Sequence, residues 1–339
     1  MKAAAPAFGQ KGVGQGTATK SVLFITGHRL GDVVMSTAAL AGLAKAWPQA
    51  RFTVACGPAQ AALFAHTPFV EAVLPFSKQP RKRHWLHLWQ ATRHTAWHGV
   101  VDLRSSLLPW FLKARHRHSL RGGRRGGLRI HQQLADLGLP LGILPAVHWS
   151  SGDGVAAAGL LPTLPPGEAW LGLGPTAGTE NKVWPAPWME RFLRLLNQRS
   201  GAEGRLVWRP VLFHGPGQRE RVLAAPLRAL LPGALLFPCA EVALTTTAAA
   251  LHRCGLYVGP DSGLMHLAAA AGTPTLGLFG PSCASQYAPQ GLCAAALCAP
   301  GAEGAGLVSD ITPEHAVEAA LALLAQNSSP GGPLANHPW

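Results

Sequence analysis

Four stretches of the chain place chemically capable side chains where an apolar run gives way to a helical pattern. In GHRLGDVV (27–34), Arg29, Gly31 and Asp32 follow the apolar segment SVLFIT. Glycine lets a ligand approach the backbone there, and the Asp32 carboxylate could take a proton from a substrate hydroxyl. A plainer role for Asp32 is to cap the helix and complement its dipole. The loop lacks the G-x-G-x-x-G spacing, which speaks against dinucleotide binding.

In GPTAGTENKVWP (174–185), Thr176, Gly178 and Thr179 offer hydroxyl and backbone N–H donors to phosphate oxygens, and Lys182 supplies a point charge. Because Lys182 is not followed by Ser or Thr, this is not a P-loop; an ordinary solvated lysine also fits. HGPGQRE (214–220) sets Gly215 after another apolar run, a loop able to wrap a nucleotide. In GPDSGLMHLAAAAGTPTLGLFG (259–280), Asp261 or Ser262 caps a helix beginning near Gly263. The unpaired amides of that first turn and the helix dipole form an anion site, and Gly263 leaves it open. His266 could donate to the same ligand. Asp261 repels phosphate, so it suits sugar hydroxyls or the orientation of a loop. A capped helix with a satisfied histidine is the structural alternative.

The elements that must position these residues alternate. SVLFIT (21–26), RFTVAC (51–56), VEAVLPF (70–76) and GVVDLR (99–104) read as buried strands, with a helix after the first ending at Pro48 and a short one after the second. Residues 140–167 thin into Pro- and Gly-rich text, read as an inter-domain linker. The rhythm then restarts with strands at 169–175, in RLVWRPVLF, at LYVG and at TPTLGLFG, separated by helices, and a last helix spans 313–326. This βα alternation predicts two doubly wound parallel sheets with ligands outside the carboxyl ends of the strands, in the cleft between two domains. The expected division is a flexible tail at 1–20, domains at 21–160 and 161–326, and a C-terminal tail at 327–339.

Composition bounds the class. The 339 residues are 48% hydrophobic and only 13% charged, with 39 Gly and 29 Pro, as in a globular protein rich in turns. No apolar run approaches the ~18 residues of a spanning helix, and the N-terminus has no apolar core of a secretory signal. The six cysteines form no C-x-x-C pair, so reduced, buried thiols in a cytoplasmic protein are expected and metal binding through cysteine is not. The net charge of +13 is concentrated: residues 78–129 hold thirteen Lys and Arg against one acid, Asp102. That points to a local anionic partner.

The four stretches, as GHRLGDVVMSTAALAGLAKAWPQARF, GPTAGTENKVWPAPWMERF, FHGPG and GPDSGLMHLAAAAGTPTLGLFGPSCASQYAP, resemble in order the blocks of glycosyltransferase family 9, the ADP-heptose:lipopolysaccharide heptosyltransferases, over about residues 20–325. The resemblance implies a GT-B fold, two Rossmann-like doubly wound domains facing each other across a cleft, with acceptor on the first and nucleotide sugar on the second. It implies an inverting transfer with Asp32 as catalytic base. Donor contacts would come from Gly31, Thr176, Thr179, Lys182, Gly215, Asp261, Ser262, Gly263 and His266, and acceptor contacts from Arg29 and Arg104. No metal and no cofactor are expected beyond the ADP-sugar co-substrate. Two other readings of the same fold are a nucleotide-sugar epimerase or hydrolase and an inactive nucleotide-sugar-binding protein.

The basic segment also carries Trp85, Trp89, Trp97 and Trp110. Cations with interfacial aromatics suit an anionic membrane surface and an anionic lipid-linked glycan acceptor, hence a peripheral location on the inner face of the cytoplasmic membrane. A solvated helix face with core tryptophans is the structural alternative. Nucleic acid is disfavoured because no binding module is recognisable.

Overall fold

The computed structural model describes residues 20–120, 126–202 and 206–328. The tails expected at 1–20 and 327–339 fall almost wholly outside the described residues. The chain divides into two compact units, Met1–Pro145 and Ala146–Trp339.

In the first unit, β1 (Lys20–Ile25), β2 (Ala50–Cys56), β3 (Val70–Pro75), β4 (Trp97–Asp102) and β5 (Ala114–Ser119) form one sheet in the order β3-β2-β1-β4-β5. Every pairing in it is parallel. The central strand β1 buries Val22, Leu23, Phe24 and Ile25 completely, which explains its unbroken apolar text. The helix α1 (Leu30–Ala46) follows β1; α2 (Arg83–Thr92) precedes β4, and α3 (Arg129–Asp136) packs on α1. Leu23, Ile25, Val100, Trp97, Leu88 and Leu108 build the core on one face of the sheet.

The second unit begins with α4 (Ser151–Leu160), followed by β6 (Glu168–Leu173), α5 (Ala186–Ala202), β7 (Val207–Leu212), α6 (Gln218–Leu230), β8 (Leu235–Leu236) and α7 (Leu244–His252). Then come β9 (Cys254–Pro260), α8 (Gly263–Ala270), β10 (Thr275–Phe279), α9 (Ala284–Tyr287), β11 (Ala294–Cys298) and α10 (Pro313–Ser328). The six parallel strands run β11-β10-β9-β6-β7-β8. Numbered within the unit this is 3-2-1-4-5-6, the doubly wound dinucleotide-fold order. The α/β class and the two Rossmann-like sheets expected from the sequence are both present.

Where a linker was expected, residues 151–160 are helical and belong to the second unit, so its start lies earlier than residue 161. The cause is Asp153. Ser150 caps α4 in a reciprocal box, its hydroxyl accepting from the Asp153 N–H at 3.0 Å while its own N–H donates to Asp153 Oδ2 at 3.0 Å. Across the unit, Thr245 and Thr246 on the first turn of α7 donate to Asp153 Oδ1 at 3.0 and 2.6 Å. Burial alone would raise this carboxyl, but the hydrogen bonds from the Ser150 and Thr246 hydroxyls, the Ser150 N–H and the Thr245 hydroxyl outweigh it and pull the pKa down to about 2.

Near the carboxyl ends of β6 and β9, three glycines make room for one ring. Tyr257 is completely buried. A Cβ at Gly172 would lie 3.0 Å from its Cδ2, one at Gly259 would lie 2.9 Å from its hydroxyl, and one at Gly174 would collide with that oxygen.

All six cysteines are free thiols. Burial pushes Cys56 and Cys239 up to about 12, so these two are packing residues rather than nucleophiles. Among the described residues no helix is long and apolar enough to cross a membrane.

Candidate active site

In each unit the chain brings its candidate residues to the point where strand order reverses, outside the carboxyl ends of two adjacent strands. In the first unit those strands are β1 and β4. The loop after β1 and the first turn of α1 carry Thr26, Gly27, His28, Arg29 and Asp32; the loop after β4 carries Leu103, Arg104 and Ser105. Together with Lys78, Leu120, Arg129, Gln132 and Gln133 they line a cavity of about 410 Å³. One carboxylate, Asp32, thus faces a space shared with four cations: Arg29, Lys78, Arg104 and Arg129.

Arg29 takes the N-cap position of α1 without a side-chain cap, so Asp32 occupies the third helical position, with its side chain exposed to the cavity. The helix entry is braced from beneath. Thr26 donates to the Ser36 hydroxyl at 2.8 Å, and Ser36 donates to the Val33 carbonyl at 2.7 Å.

Arg104 is held three ways. Its backbone N–H donates to Asp102 Oδ1 at 2.7 Å, its guanidinium donates to His28 Nδ1 at 2.6 Å, and it lies 5.9 Å from the Trp85 ring centre. The second nitrogen of His28 donates to the Phe76 carbonyl at 2.8 Å, so the ring is neutral with its proton on Nε2. Burial keeps the His28 imidazole below its ordinary pKa; the Phe76 bond opposes this, and the Arg104, Lys78 and His84 charges reinforce it. Asp102 is the one acid of the basic segment and is fully buried. It also accepts from the Ser106 N–H at 2.7 Å and the Ser106 hydroxyl at 2.5 Å, closing a bend in which Ser105 adopts a left-handed φ of 51°. Asp102 and His28 therefore position the arginine. The sequence reading missed that role for both, although a lone acid ending a buried strand within a basic segment was the available signal for Asp102.

In the second unit the reversal lies between β6 and β9. Thr176 is buried, Thr179 is exposed at the start of a 3-10 turn over Glu180–Lys182, and Lys182 reaches across to Asp261 after β9, Nζ to Oδ2 at 2.7 Å. Asp261 is 11% exposed and Lys182 27%. Ser262 is the N-cap of α8, its hydroxyl accepting from the Met265 N–H at 3.4 Å, and Gly263 opens the helix. His266 lies beneath, 5% exposed, with Nε2 3.9 Å from Asp261 Oδ1. Burial drives its pKa well down against the pull of Asp261, so the ring is neutral. The loop after β7 joins the same edge. Arg219 donates to the Gly178 carbonyl at 3.2 Å, and His214 Nδ1 donates to the carbonyl of Gly215 at 2.7 Å.

Thus Thr176, Thr179, Lys182, Gly215, Asp261, Ser262, Gly263 and His266 all lie on the loops and helix starts around one strand reversal. Asp32, Arg29 and Arg104 share the cavity of the other unit. Gly31, expected as a donor contact, is on the first turn of α1 and so lies in the first unit with Asp32, apart from the other expected donor contacts. Among the described residues no group of His, Cys, Asp and Glu is arranged to hold a metal ion.

The comparisons with known proteins bear on the fold and the family resemblance. Residues 158–305 match the model of glycosyltransferase family 9 (heptosyltransferase). No curated protein matches the chain. Among solved structures, the chain is similar to a family 9 glycosyl transferase from Veillonella parvula, at 21% identity and TM-score 0.76, covering 91% of this chain and 98% of that one. It is also similar to E. coli ADP-heptose lps heptosyltransferase II, at 22% identity and TM-score 0.72, covering 91% and 100%. A third similar structure is E. coli heptosyltransferase WaaC with ADP, at 19% identity and TM-score 0.65, covering 89% and 99%. The resemblance read from the sequence motifs is borne out, and the fold is GT-B.

Proposed function

For a chain with the GT-B fold and the family 9 heptosyltransferase signature in its second half, we propose an inverting transfer of a heptose or related sugar from an ADP-sugar to an anionic, lipid-linked glycan such as a lipopolysaccharide core. The observation that supports this reading best is the first-unit cavity: a single exposed carboxylate among four cations and a neutral histidine. Such a space attracts a phosphorylated acceptor while keeping one base able to take a hydroxyl proton.

In this mechanism Asp32 accepts the proton of the attacking acceptor hydroxyl, and Arg29 and Arg104 hold acceptor phosphates or carboxylates. Charge develops on the departing diphosphate as an oxocarbenium-like centre forms. Lys182 and the amides opening α8 stabilise that charge, with Thr176, Thr179 and Gly215 lining the path of the nucleotide. Asp261 holds Lys182 in place and accepts from sugar hydroxyls, and buried His266 supports Asp261 from behind. The cation role belongs to Lys182 rather than to a metal, and the protein works as a peripheral enzyme on the inner face of the cytoplasmic membrane.

The test is Asp32→Asn assayed with ADP-heptose and a phosphorylated core acceptor. Transfer should fall by about 10²–10⁴-fold while donor affinity stays within a factor of two or three. The wild-type rate should survive chelation by EDTA. Undiminished transfer by the variant would remove Asp32 from the chemistry, and a rate restored only by an added divalent ion would assign the charge role to a metal. Donor breakdown at full rate without any acceptor would favour the epimerase or hydrolase reading.

A further inference from the structure

Beside the cavity holding Asp32, the first unit exposes large apolar side chains in one place. Leu107 is 72% exposed, Trp110 71%, Phe111 69%, and Leu86 on the neighbouring α2 is 51%. Leu86, Leu107 and Phe111 line an open apolar hollow of about 500 Å³ with Trp85, Trp89 and Leu108, and Lys82, Ser105 and Ser106 complete it. Trp110 belongs to the same short turn, Leu108–Phe111.

This turn is held firmly. Leu108 and Pro109 are buried beneath it. The Trp89 indole donates to the Phe111 carbonyl at 3.1 Å, and the Arg117 guanidinium donates to the Pro109 and Leu112 carbonyls at 2.9 and 2.8 Å. The apolar side chains are therefore presented to the outside by a fixed scaffold, the opposite of what the hydrophobic effect favours for a surface facing water. Along the segment that carries them the exposed charge has one sign. Lys78, Arg81, Lys82, Arg83, Arg93 and Lys113 are all exposed, and the only acid between residues 78 and 129 is the buried Asp102. Arg81 and Lys82 sit in left-handed backbone, φ 52° and 57°, in the turn that starts α2.

We propose that this face docks on an anionic lipid bilayer, with Leu86, Leu107, Trp110 and Phe111 entering the interface and the surrounding Lys and Arg meeting the headgroups. The pairing of fixed apolar tips with exposed cations on the same segments is what the chemistry of such a surface selects. A nucleic acid would be met by the charges but has no apolar medium for leucine and phenylalanine. Ser105 lines both this hollow and the Asp32 cavity, so docking here sets the cavity beside the headgroup layer, where a lipid-linked acceptor presents its sugars. That last step rests on the acceptor reading above; binding to the bilayer does not.

The experiment is sedimentation of the full-length protein with vesicles of phosphatidylcholine alone or mixed with phosphatidylglycerol, at low and high salt. It compares the wild type with Leu107→Ser/Trp110→Ser/Phe111→Ser and with Lys82→Glu/Arg83→Glu. The wild type should partition at least tenfold better onto anionic vesicles, and less so at high salt. The triple variant should lose at least tenfold on those vesicles, and the charge reversal should lose both binding and its salt dependence. All proteins should keep their melting temperature and their transfer to a water-soluble, delipidated acceptor. The proposal is overturned by a triple variant that binds like the wild type, or by equal binding to neutral and anionic vesicles. It is also overturned if the face serves to join two copies of the chain or to hold an oligonucleotide while vesicles are ignored. Should vesicle binding behave as expected while the soluble acceptor is never used, the acceptor reading fails and the docking surface stands.

Discussion

Asp153 offers a direct measure of what joins α4 to the second unit. Its carboxyl is lowered from 3.8 to about 2 by four hydrogen bonds that overcome its burial. The lowered group is an acid, so the folded unit favours its ionised form. The stabilisation is complete above the unfolded pKa near 4 and disappears as pH falls toward 2. At about 1.4 kcal/mol per pKa unit, discounted for a carboxylate that solvent still screens, the shift is worth about 1–2 kcal/mol. Asp153→Asn should therefore lose about 1–2 kcal/mol at pH 7, and for a unit of roughly 150–250 residues the midpoint should fall by about 2–8 °C. Thr246→Val, removing one donor, should lose about 1 kcal/mol. The assay is urea unfolding of the full chain followed by circular dichroism at half-unit steps from pH 7 to pH 2.5. The gap between wild type and Asp153→Asn must narrow steadily below pH 4. A gap that stays constant with pH, or one smaller than about 0.5 kcal/mol at neutrality, would refute the assignment of this carboxylate as the bond between α4 and α7.

Two further outcomes test the sites. Because Lys182 is already paired with Asp261, Lys182→Ala should weaken ADP binding by about tenfold or more. By contrast, Asp261→Asn should leave ADP affinity unchanged or improved, by releasing the lysine and removing a negative charge, yet weaken the ADP-sugar; calorimetric titration of both ligands separates these effects, and equal losses for the two would contradict it. Neutral His28 accepts from Arg104, and burial lowers its pKa. Because the folded pKa lies below the ordinary imidazole value of 6.5, its support of the arginine persists through that pH and is lost only as pH falls through the lowered value, so the acceptor KM should rise on acidification well below 6.5 while the donor KM holds, and His28→Gln should flatten that profile.

The sequence made the sheets legible wherever burial on both faces writes an apolar run, as in SVLFI and GLYVG. It hid β5, whose residues ARHRHS form an edge strand with little buried surface, all but two of its side chains charged or imidazole. It hid α4 as well, since SGDGVAAAGL reads as a loop until Asp153 finds its threonines on a distant helix. Of the tryptophans in the basic segment, Trp97 is a core residue whose indole donates to the Thr92 carbonyl at 3.0 Å, and Trp110 alone is largely exposed. Composition counts aromatic rings but does not say which way they face. The residues proposed to hold the donor phosphates were recognisable because glycine, hydroxyl and cap residues cluster after a strand. Arg104 could be named, but the buried Asp102 and His28 that hold it become visible only once strands β1 and β4 stand side by side.

Tyr257 has a consequence for how this protein can vary over generations. Its ring occupies the room that Gly172, Gly174 and Gly259 leave vacant, so a change at any one of those four positions is sterically tied to the other three. A descendant that trimmed the ring to valine would first open a hollow, and only afterwards could alanine or serine appear at any of the three glycines. Larger residues arriving in the opposite order would drive the phenol out of its berth and distort the strand ends that present Thr176 and Asp261.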